Sequence, residues 1–256
     1  MQKIGLNMYS LRKLCVDEKS LREVFAKVSD AGYRYVQLSG LNQIDPEEIA
    51  GAMRDRGLRA CATHLNWDRF TEDVDAVIDL HNLYGTTHSA IGGLPKEYLS
   101  YEGAQRFVRE AARVIPVLEK AGLDFSYHNH NHEFVRIEGK TWIDHVHDLS
   151  QEVDIKYELD LYWIAAGGAD PAQYVERFAT AMSIIHVKDM IVTANREQRF
   201  APVGCGNLNW PRIFTEMRKT PVEFVIVEQD EHYDEDPIEN VAKSYEFLAT
   251  NGIAQE

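Results

Sequence analysis

Short apolar runs alternate with longer amphipathic segments along the whole chain. The apolar runs predict strands at residues 4–6, 35–38, 58–64, 87–91, 155–160, 183–189 and 222–228, with a further strand inside the stretch 124–134. The segments between them predict helices, several of which should end at a glycine, as at Gly32, Gly57 and Gly122. Strict alternation of strand and helix indicates a parallel sheet. About eight such units favour a closed α/β barrel, a (β/α)8 TIM barrel formed by residues 1–256 as one domain, over an open sheet.

The pattern also predicts four local features. Ser20 is expected to cap the first helix, and Pro116 should kink the long helix over residues 103–121. Residues 142–149 predict a weak helix. The segment 190–209 is expected to be irregular, because its glycines interrupt any periodic pattern.

The stretch from Asp124 to Phe134 reads D-F-S-Y-H-N-H-N-H-E-F and carries three histidines at alternating positions. Alternate side chains of an extended strand share a face, so His128, His130 and His132 would point the same way if the strand continued. Histidine is the commonest metal ligand and the usual proton carrier near neutral pH. A simple polar strand edge is the alternative interpretation.

Polar residues also end the three strands that follow. Asp160, His186 and Glu228 each come after an apolar run. In a (β/α)8 barrel the carboxyl ends of the strands build the active site, so these side chains should meet His128 and His130. Two imidazoles and two carboxylates suit Mn²⁺, Fe²⁺, Co²⁺ or Zn²⁺. Each residue has a structural alternative: Asp160 as a turn cap, His186 as a core histidine, and Glu228 as an ion-pair partner of Lys188.

Charge and cysteine content narrow the class of protein. Lys and Arg number 27 against 41 Asp and Glu, and the net charge of −14 argues against nucleic acid as the partner. Cys15, Cys61 and Cys205 form no CxxC pair, so neither a zinc knuckle nor a disulfide framework is expected. No apolar run approaches the roughly 18 residues that a membrane span needs. We expect a cytoplasmic protein without a membrane partner, and a monomer and a homo-oligomer both stay open.

Several motifs resemble the sugar phosphate isomerase/epimerase family of xylose isomerase-like TIM barrels, over essentially the whole chain. They are M-Y-S-L-R (8–12), Y-H-N-H (127–130), E-L-D-L-Y-W (158–163), H-V-K-D (186–189), G-C-G-N-L-N-W (204–210) and V-E-Q-D (227–230). The resemblance implies one divalent ion, manganese first with cobalt, zinc or iron as alternatives. Carried over by position, its ligands would be His128, Asp160, His186 and Glu228.

This chain departs from the family at strand five, where many members have E-N-H and this chain has H-N-H. Replacing a carboxylate by a neutral imidazole makes the metal centre formally neutral, so the ion should be a stronger Lewis acid. Glu133, five residues further on, is the alternative strand-five ligand. Cys205 is a second departure, because relatives often carry an acidic residue there.

The implied chemistry is proton abstraction from the carbon next to a carbonyl, through an enediolate that the metal stabilises. Glu228 would take the proton, and His130, Lys188 or His64 would return it. The expected overall reaction is therefore isomerisation or epimerisation of a sugar or keto-sugar. The alternative is a lyase, either a keto-cyclitol dehydratase or an enzyme of β-elimination from 3-keto sugars and glycosides, since H-N-H also resembles inosose dehydratase-like relatives.

Substrate contacts are expected from His64 and from aromatic residues in the loops after the strands. Trp67, Trp163 and Trp210 could stack on a sugar ring, with packing between barrel and helices as the alternative. Arg196 and Arg199 are the most obvious anion binders, although both could be solvated. Two other classes share this fold: an AP endonuclease, which the net charge opposes, and a non-catalytic sugar-binding subunit.

Overall fold

A computed structural model describes residues 2–253, in which eight parallel strands close into a barrel. The strands, numbered β1 to β8 in chain order, are Lys3–Asn7, Tyr35–Leu38, Arg59–Leu65, His88–Ile91, Asp124–His128, Lys156–Asp160, Met182–Val187 and Phe224–Val227. Each strand pairs with the next one in the chain, and β8 pairs with β1. On β1, Gly5 lies opposite Ile226 on one side and Tyr35 on the other. The predicted (β/α)8 barrel is confirmed.

Helices connect the strands and form the outer layer. They are α1 Glu18–Asp30, α2 Pro46–Asp55, α3 Trp67–Glu72, α4 Val74–Tyr84, α5 Tyr101–Lys120, α6 Trp142–Leu149, α7 Leu161–Ala166, α8 Pro171–Arg177, α9 Trp210–Met217 and α10 Pro237–Thr250. Short 3-10 helices lie at Met8–Leu14, Lys96–Tyr98, His132–Phe134 and Ala179–Ala181. None of the helices among residues 2–253 is long and apolar enough to cross a membrane.

One local prediction about a helix cap needs correction. Asp17, not Ser20, is the N-cap of α1: its carboxylate accepts the backbone N–H of Ser20, whose hydroxyl accepts the N–H of Asp17 in return. Helix α5 continues through Pro116 as one element. Its apolar face, which includes Phe107 and Leu118, is buried against the barrel, and this burial outweighs the roughly 3 kcal/mol that an interior proline costs.

The segment 190–209 is more regular than predicted. Asp189–Val192 pairs with Gln198–Ala201 in an antiparallel hairpin just beyond β7. The carboxylate of Asp189 then accepts three backbone N–H groups from residues 204–208 and the indole N–H of Trp210. A side chain at Gly206 would lie 2.3 Å from that carboxylate, so the close approach requires glycine. One buried aspartate thus orders the loop that follows the hairpin.

The barrel interior has an apolar lower half and a polar upper half. The lower half contains Cys61, Ala62, Ile184, Phe224 and Ile226. The upper half lies at the carboxyl ends of the strands, where Gln37, His128, Glu158, Asp160, His186, Lys188 and Glu228 are all buried. Because the large apolar core fills the space between strands and helices, the polar half is the exception in this molecule and positions the candidate site.

Candidate active site

The histidine-rich stretch leaves the barrel earlier than its pattern predicts. Strand β5 ends at His128, whose ring is buried in the barrel. His130 follows in the loop, and His132 belongs to the 3-10 helix His132–Phe134, where its side chain is 42% exposed. The rings of His130 and His132 stack 5.3 Å apart. The predicted common face therefore does not extend to His132, because the chain turns away from the strand.

Four buried residues from four neighbouring strands converge on one point. His128, Asp160, His186 and Glu228 each offer a ligand atom, and these atoms all lie within 4.8 Å of one another. His186 Nδ1 is 3.1 Å from Glu228 Oε2, and His128 Nε2 is 4.0 Å from Asp160 Oδ2. We call this set the four-residue cluster.

The four-residue cluster fits a single divalent ion. Bonds of about 2.1 Å allow two ligand atoms to be at most about 4.2 Å apart, so a contraction of roughly half an ångström would close the set. Asp160 Oδ2 is fully buried and accepts no hydrogen bond within the described residues, although the Lys188 ammonium lies near it. Two imidazole nitrogens and two carboxylate oxygens are the donor types that Mn²⁺, Fe²⁺, Co²⁺ and Zn²⁺ accept.

Lys188 lies against the same carboxylates. Its ammonium is 3.1 Å from Asp160 Oδ2 and 2.8 Å from both Glu228 Oε2 and Asp230 Oδ1. Burial alone would lower the pKa of Lys188, but the three carboxylates raise it, so the side chain is charged. The ion pair of Glu228 with Lys188, which the sequence offered as the structural alternative, is present alongside the four-residue cluster.

The carboxylates of the cluster differ in proton affinity. Burial would raise the pKa of Glu228, but Lys188 and His186 outweigh it and hold the pKa well below its usual range. Burial keeps the pKa of Asp160 above its usual value despite Lys188. Burial, with the charge of Glu228, raises the pKa of Asp230 to about 6. Glu228 is therefore ionised at neutral pH, and its strength as a base depends on where the Lys188 ammonium lies.

A second set of contacts lies directly beneath the four-residue cluster. Glu158 is fully buried, and its Oε1 is 2.5 Å from His64 Nε2, 2.8 Å from His186 Nε2 and 3.3 Å from His128 Nδ1. Gln37 donates from Nε2 to both carboxylate oxygens, at 3.1 and 2.9 Å. Burial would raise the pKa of Glu158, but His186 and His64 hold it well below its usual range. Burial would lower the pKa of His186, but Glu158 and Glu228 outweigh it and raise the pKa to about 10.

A cavity of about 340 Å³ opens above the cluster at the carboxyl ends of the strands. Its lining includes Tyr9, Ser39, Asn42, His64, Asn66, His130, Lys188, Glu228 and Asp230. The volume is in the range of small-molecule sites. Most of the lining is polar, which suits a hydroxylated ligand.

Comparison with known proteins assigns the fold to a family. The sequence matches the family described as xylose isomerase-like TIM barrel over residues 25–251. The chain belongs to this family. The matched range includes all four residues of the cluster. No curated protein matches the chain significantly.

Solved structures of similar fold include a sugar phosphate isomerase/epimerase from Parabacteroides distasonis, with 21% identity, a TM-score of 0.82 and complete coverage of both chains. A D-allulose 3-epimerase from Methylomonas sp. in complex with D-allulose shows 16% identity and a TM-score of 0.73, over 97% of this chain and 96% of that chain. A probable 3-DHS dehydratase from Bacillus anthracis shows 17% identity and a TM-score of 0.71, over 98% and 100%. Identities this low show a shared fold.

Within this xylose isomerase-like barrel, the alternative strand-five ligand lies apart from the cluster. Glu133 is buried, and its carboxylate accepts the Tyr127 hydroxyl and the His130 backbone N–H, each at 2.8 Å, and lies 3.1 Å from His132 Nε2. The structure brings His128, not Glu133, to Asp160. His130 Nδ1 is buried without a hydrogen bond within the described residues, and burial lowers the pKa of His130 to about 4. His130 is therefore neutral at pH 7.

Two of the predicted aromatic contacts need correction. Trp67 is 3% exposed, packs on Phe70, Phe107 and Phe125, and donates from Nε1 to Glu110 at 3.0 Å. A sugar cannot reach it there, so the packing alternative describes it. Trp210, likewise buried, binds Asp189. The sequence could not separate these outcomes, because a loop tryptophan can fold inward or outward.

Trp163 and the two arginines have different positions. The Trp163 ring is half-buried beside His130, with centroids 5.3 Å apart, and Lys188 Nζ is 5.3 Å from its centroid. Its Nε1 is buried without a partner in the described residues, and Trp163 does not line the cavity. Arg196 is exposed at the turn of the hairpin, with φ of 66°, and does not line the cavity. Arg199 binds Glu197 at 2.7 Å.

Sequence reasoning missed Glu158, Gln37 and Asp230. The signal for Glu158 was present in the motif E-L-D, because residues two apart on a strand share a face and Asp160 was already a candidate. Asp230 stands two residues beyond Glu228 in V-E-Q-D in the same way. Gln37 carried no comparable signal, since it is a single amide in an otherwise ordinary strand.

Proposed function

We propose that this chain is a divalent-metal-dependent isomerase or epimerase that transfers a proton next to the carbonyl of a sugar. The observation that carries the proposal is the convergence of His128, Asp160, His186 and Glu228, all buried, at the floor of an accessible polar cavity. Buried charged groups are costly and cluster at functional sites. The names of the similar structures support the same class of reaction, because they include a sugar isomerase/epimerase and a sugar epimerase.

The four residues of the cluster would hold the ion, with manganese as the first choice and cobalt, zinc or iron as alternatives. When bound, the ion would supply Lewis-acid polarisation of the carbonyl. Glu228 would abstract the proton from the neighbouring carbon, because its carboxylate is ionised and lines the cavity. The Lys188 ammonium would withdraw toward Asp230 as this proton is taken, since both carboxylates already bind it.

Lys188 is also a candidate to return the proton, although the three carboxylates beside it raise its pKa and make it a weaker acid. Its ammonium lines the cavity and lies 2.8 Å from Glu228, so the two groups that give and take protons are adjacent. His130 is neutral and serves better as a hydrogen-bond partner of a substrate hydroxyl. His64 faces the cavity but is bound at Nε2 to Glu158. Because Lys188 is adjacent to Glu228, return by Lys188 suits transfer to the neighbouring carbon, which gives isomerisation. Epimerisation needs a donor at the opposite face of the same carbon, which His130 or His64 would have to supply.

The substrate would be an uncharged ketose rather than a sugar phosphate. Among the described residues that line the cavity, Lys188 is the only lysine or arginine, and three carboxylates already surround its ammonium. A phosphate dianion would meet Glu228 and Asp230 without a free cation to offset them. Trp163 would support the wall of the sugar site from behind, because its ring packs beside His130, which lines the cavity.

A lyase is the second candidate. Elimination of a β-substituent starts from the same enediolate and needs an acid beside the leaving group, and Lys188, which lines the cavity, would be that acid. The fold shared with a probable dehydratase is compatible with this outcome. The product, not the site, separates the two reactions.

The test begins with metal analysis of the purified protein, followed by NMR in D₂O with a panel of ketoses, inososes and 3-keto glycosides. We expect one divalent ion per chain and deuterium at the α-carbon of one panel member. A new isomer or epimer supports the proposal, and an unsaturated product supports the lyase. No metal and unchanged sugars would instead favour a non-catalytic sugar-binding subunit. Cleavage of abasic DNA would favour the endonuclease.

Glu228→Gln tests the assignment of the base. The variant should retain the metal at reduced affinity and lose deuterium exchange by about 10²–10⁴-fold, the usual contribution of a general base. Glu223→Gln is the matched control, because it changes an exposed glutamate at the opposite end of the barrel. Full exchange in Glu228→Gln would refute the base assignment.

A further inference from the structure

We propose that Glu158 is the positioning residue of the metal centre: its buried carboxylate faces one ring nitrogen of both histidines of the four-residue cluster and thereby determines which nitrogen each one presents to the ion. The inference rests on the metal site of the proposed function. Nothing in the four ligands alone would select these nitrogens, since each imidazole can carry its proton on either side.

The two histidines present opposite nitrogens to the cluster. His128 directs Nε2 toward Asp160 and Nδ1 toward Glu158, at 4.0 and 3.3 Å. His186 does the reverse, with Nδ1 toward Glu228 at 3.1 Å and Nε2 toward Glu158 at 2.8 Å. At 3.3 Å the contact of His128 Nδ1 is not a hydrogen bond among the described residues, and a small approach of Glu158 would make it one when Nε2 is the ligand. One carboxylate beneath both rings would then specify two different tautomers. Metal-binding histidines usually donate their second N–H to such an acceptor.

The short distances identify Glu158 as a hydrogen-bond acceptor rather than a ligand of a second, deeper ion. His64, His128, Glu158 and His186 also form a compact donor group. Two ligand atoms that each bind one ion at about 2.1 Å lie roughly 3.0 Å apart when their bonds form a right angle. They lie farther apart in a tetrahedral site. Glu158 Oε1 lies only 2.5 Å from His64 and 2.8 Å from His186, which are hydrogen-bond distances.

Gln37 holds this carboxylate in place. Its amide nitrogen donates to both oxygens of Glu158, and its Oε1 lies 2.6 Å from His186 Nε2. The arrangement requires His186 Nε2 to carry the proton, because both of its neighbours there are acceptors. Gln37 and Glu158 therefore both favour the form of His186 that carries a proton on Nε2.

Glu158 also changes the charge balance inferred from the sequence. If both histidines are neutral as metal ligands, Asp160 and Glu228 leave a divalent ion formally neutral. Glu158 adds one negative charge beside both imidazoles, so the ion, its four ligands and Glu158 together carry −1 before the Lys188 ammonium on the other side is counted. The carboxylate that strand five lacks is thus supplied from β6, one layer below. The stronger Lewis acidity expected from H-N-H is correspondingly reduced, because a charged acceptor makes the imidazoles better electron donors.

The experiment compares Glu158→Gln with the wild type and with Glu223→Gln, a change of the same kind at the other end of the barrel. Co²⁺ titration followed by visible absorption measures the metal affinity of the full chain. We expect Glu158→Gln to bind Co²⁺ about 10–100-fold more weakly, as for other residues that orient metal ligands, and Glu223→Gln to bind like the wild type.

NMR of the Zn²⁺-loaded wild type, labelled with ¹⁵N at histidine, tests the tautomers without any variant. We expect the proton on Nδ1 of His128 and on Nε2 of His186. The opposite tautomer at either ring would overturn the inference even if Glu158→Gln does not fold.

Three further outcomes have distinct meanings. Equal Co²⁺ affinity of wild type and a folded Glu158→Gln would refute the role of Glu158 while leaving the proposed function intact. Two Co²⁺ ions per wild-type chain, with one lost in Glu158→Gln, would make Glu158 a ligand and overturn its positioning role. A wild type that binds no Co²⁺ would remove the proposed metal site together with this inference.

Discussion

The two halves of the barrel interior are built by the same strands and have opposite chemistry. Strand β7 contributes Ile184 to the lower half and His186 to the upper half, and the chain of β8 contributes Ile226 below and Glu228 above. Both pairs are two residues apart, so the alternation that directs side chains inward is the same in each half. The halves differ only in what the inward positions carry.

The difference shows where this protein gives up stability. Apolar side chains in the lower half gain free energy from leaving water, whereas buried carboxylates, imidazoles and an ammonium must recover their lost hydration from one another. The upper half does so through a dense set of contacts among Glu158, Lys188, His186 and Glu228. A barrel would not need that arrangement to fold. We therefore interpret the lower half as structural and the upper half as functional.

Replacing the buried lysine should produce the largest effect on stability. Lys188→Met leaves Asp160, Glu228 and Asp230 without their ammonium partner, and breaking a buried ion pair in this way costs about 3–5 kcal/mol. Urea unfolding in the presence of a chelator measures the loss. Added Co²⁺ should recover part of it, because a divalent cation can bind the same oxygens.

Lys219→Met is the control, because Lys219 pairs with Glu216 on the surface with its side chain 61% exposed. It should change the free energy of unfolding by less than about 1 kcal/mol. Equal effects of the two lysine variants would contradict the view that the upper half depends on charge pairing.

Truncating a lower-half residue should affect stability alone. Ile226 is fully buried, and Ile226→Ala should lower the free energy of unfolding by about 2–5 kcal/mol through lost burial and a cavity. The rate of α-proton exchange should be unchanged at temperatures where the variant is folded. Val16→Ala, at a position 67% exposed, should change stability by less than about 0.5 kcal/mol. Loss of exchange activity in a folded Ile226→Ala would contradict the division of the barrel interior into a structural lower half and a functional upper half.

A histidine–carboxylate pair at the lower rim offers the smallest and sharpest comparison. His88 Nδ1 is 2.7 Å from Asp124, and its Nε2 is 3.7 Å from Glu223. Burial lowers the pKa of His88, but the hydrogen bond and charge of Asp124, with Glu223, raise it above 6.5. When folding raises the pKa of a histidine, its protonation stabilises the folded state. This contribution is fully present below the unfolded pKa, and it is lost as the pH rises through the folded pKa.

His88→Gln should therefore reduce stability by up to about 1 kcal/mol at pH 6, and by less at pH 9. Urea unfolding of wild type and variant at both pH values measures this. A difference that grows with pH would mean that His88 is neutral in the folded protein, contrary to its two acidic neighbours.

Much of the fold was predictable because it depends on periodicity. The apolar runs located all eight strands to within a few residues, and the glycines after α1, α2 and α5 marked where helices end. The errors were local: Asp17 rather than Ser20 caps α1, because the Asp17 carboxylate accepts the N–H of Ser20 and the helix already begins at Glu18. The order of the loop over residues 204–208 was missed because the buried carboxylate of Asp189, not a hydrophobic pattern, organises it.

The sequence by itself determined the barrel and the residues that could meet at its open end, since strand alternation places every strand terminus on one side. Only the tertiary structure decided which of them do meet. It turned the chain away from β5 before His132, buried Trp67 under the helices, left Arg196 outside the cavity and placed the Lys188 ammonium among three carboxylates. It also placed Glu158 beneath both histidines. The reason is that distances across a closed barrel depend on strand register and side-chain direction in several strands at once.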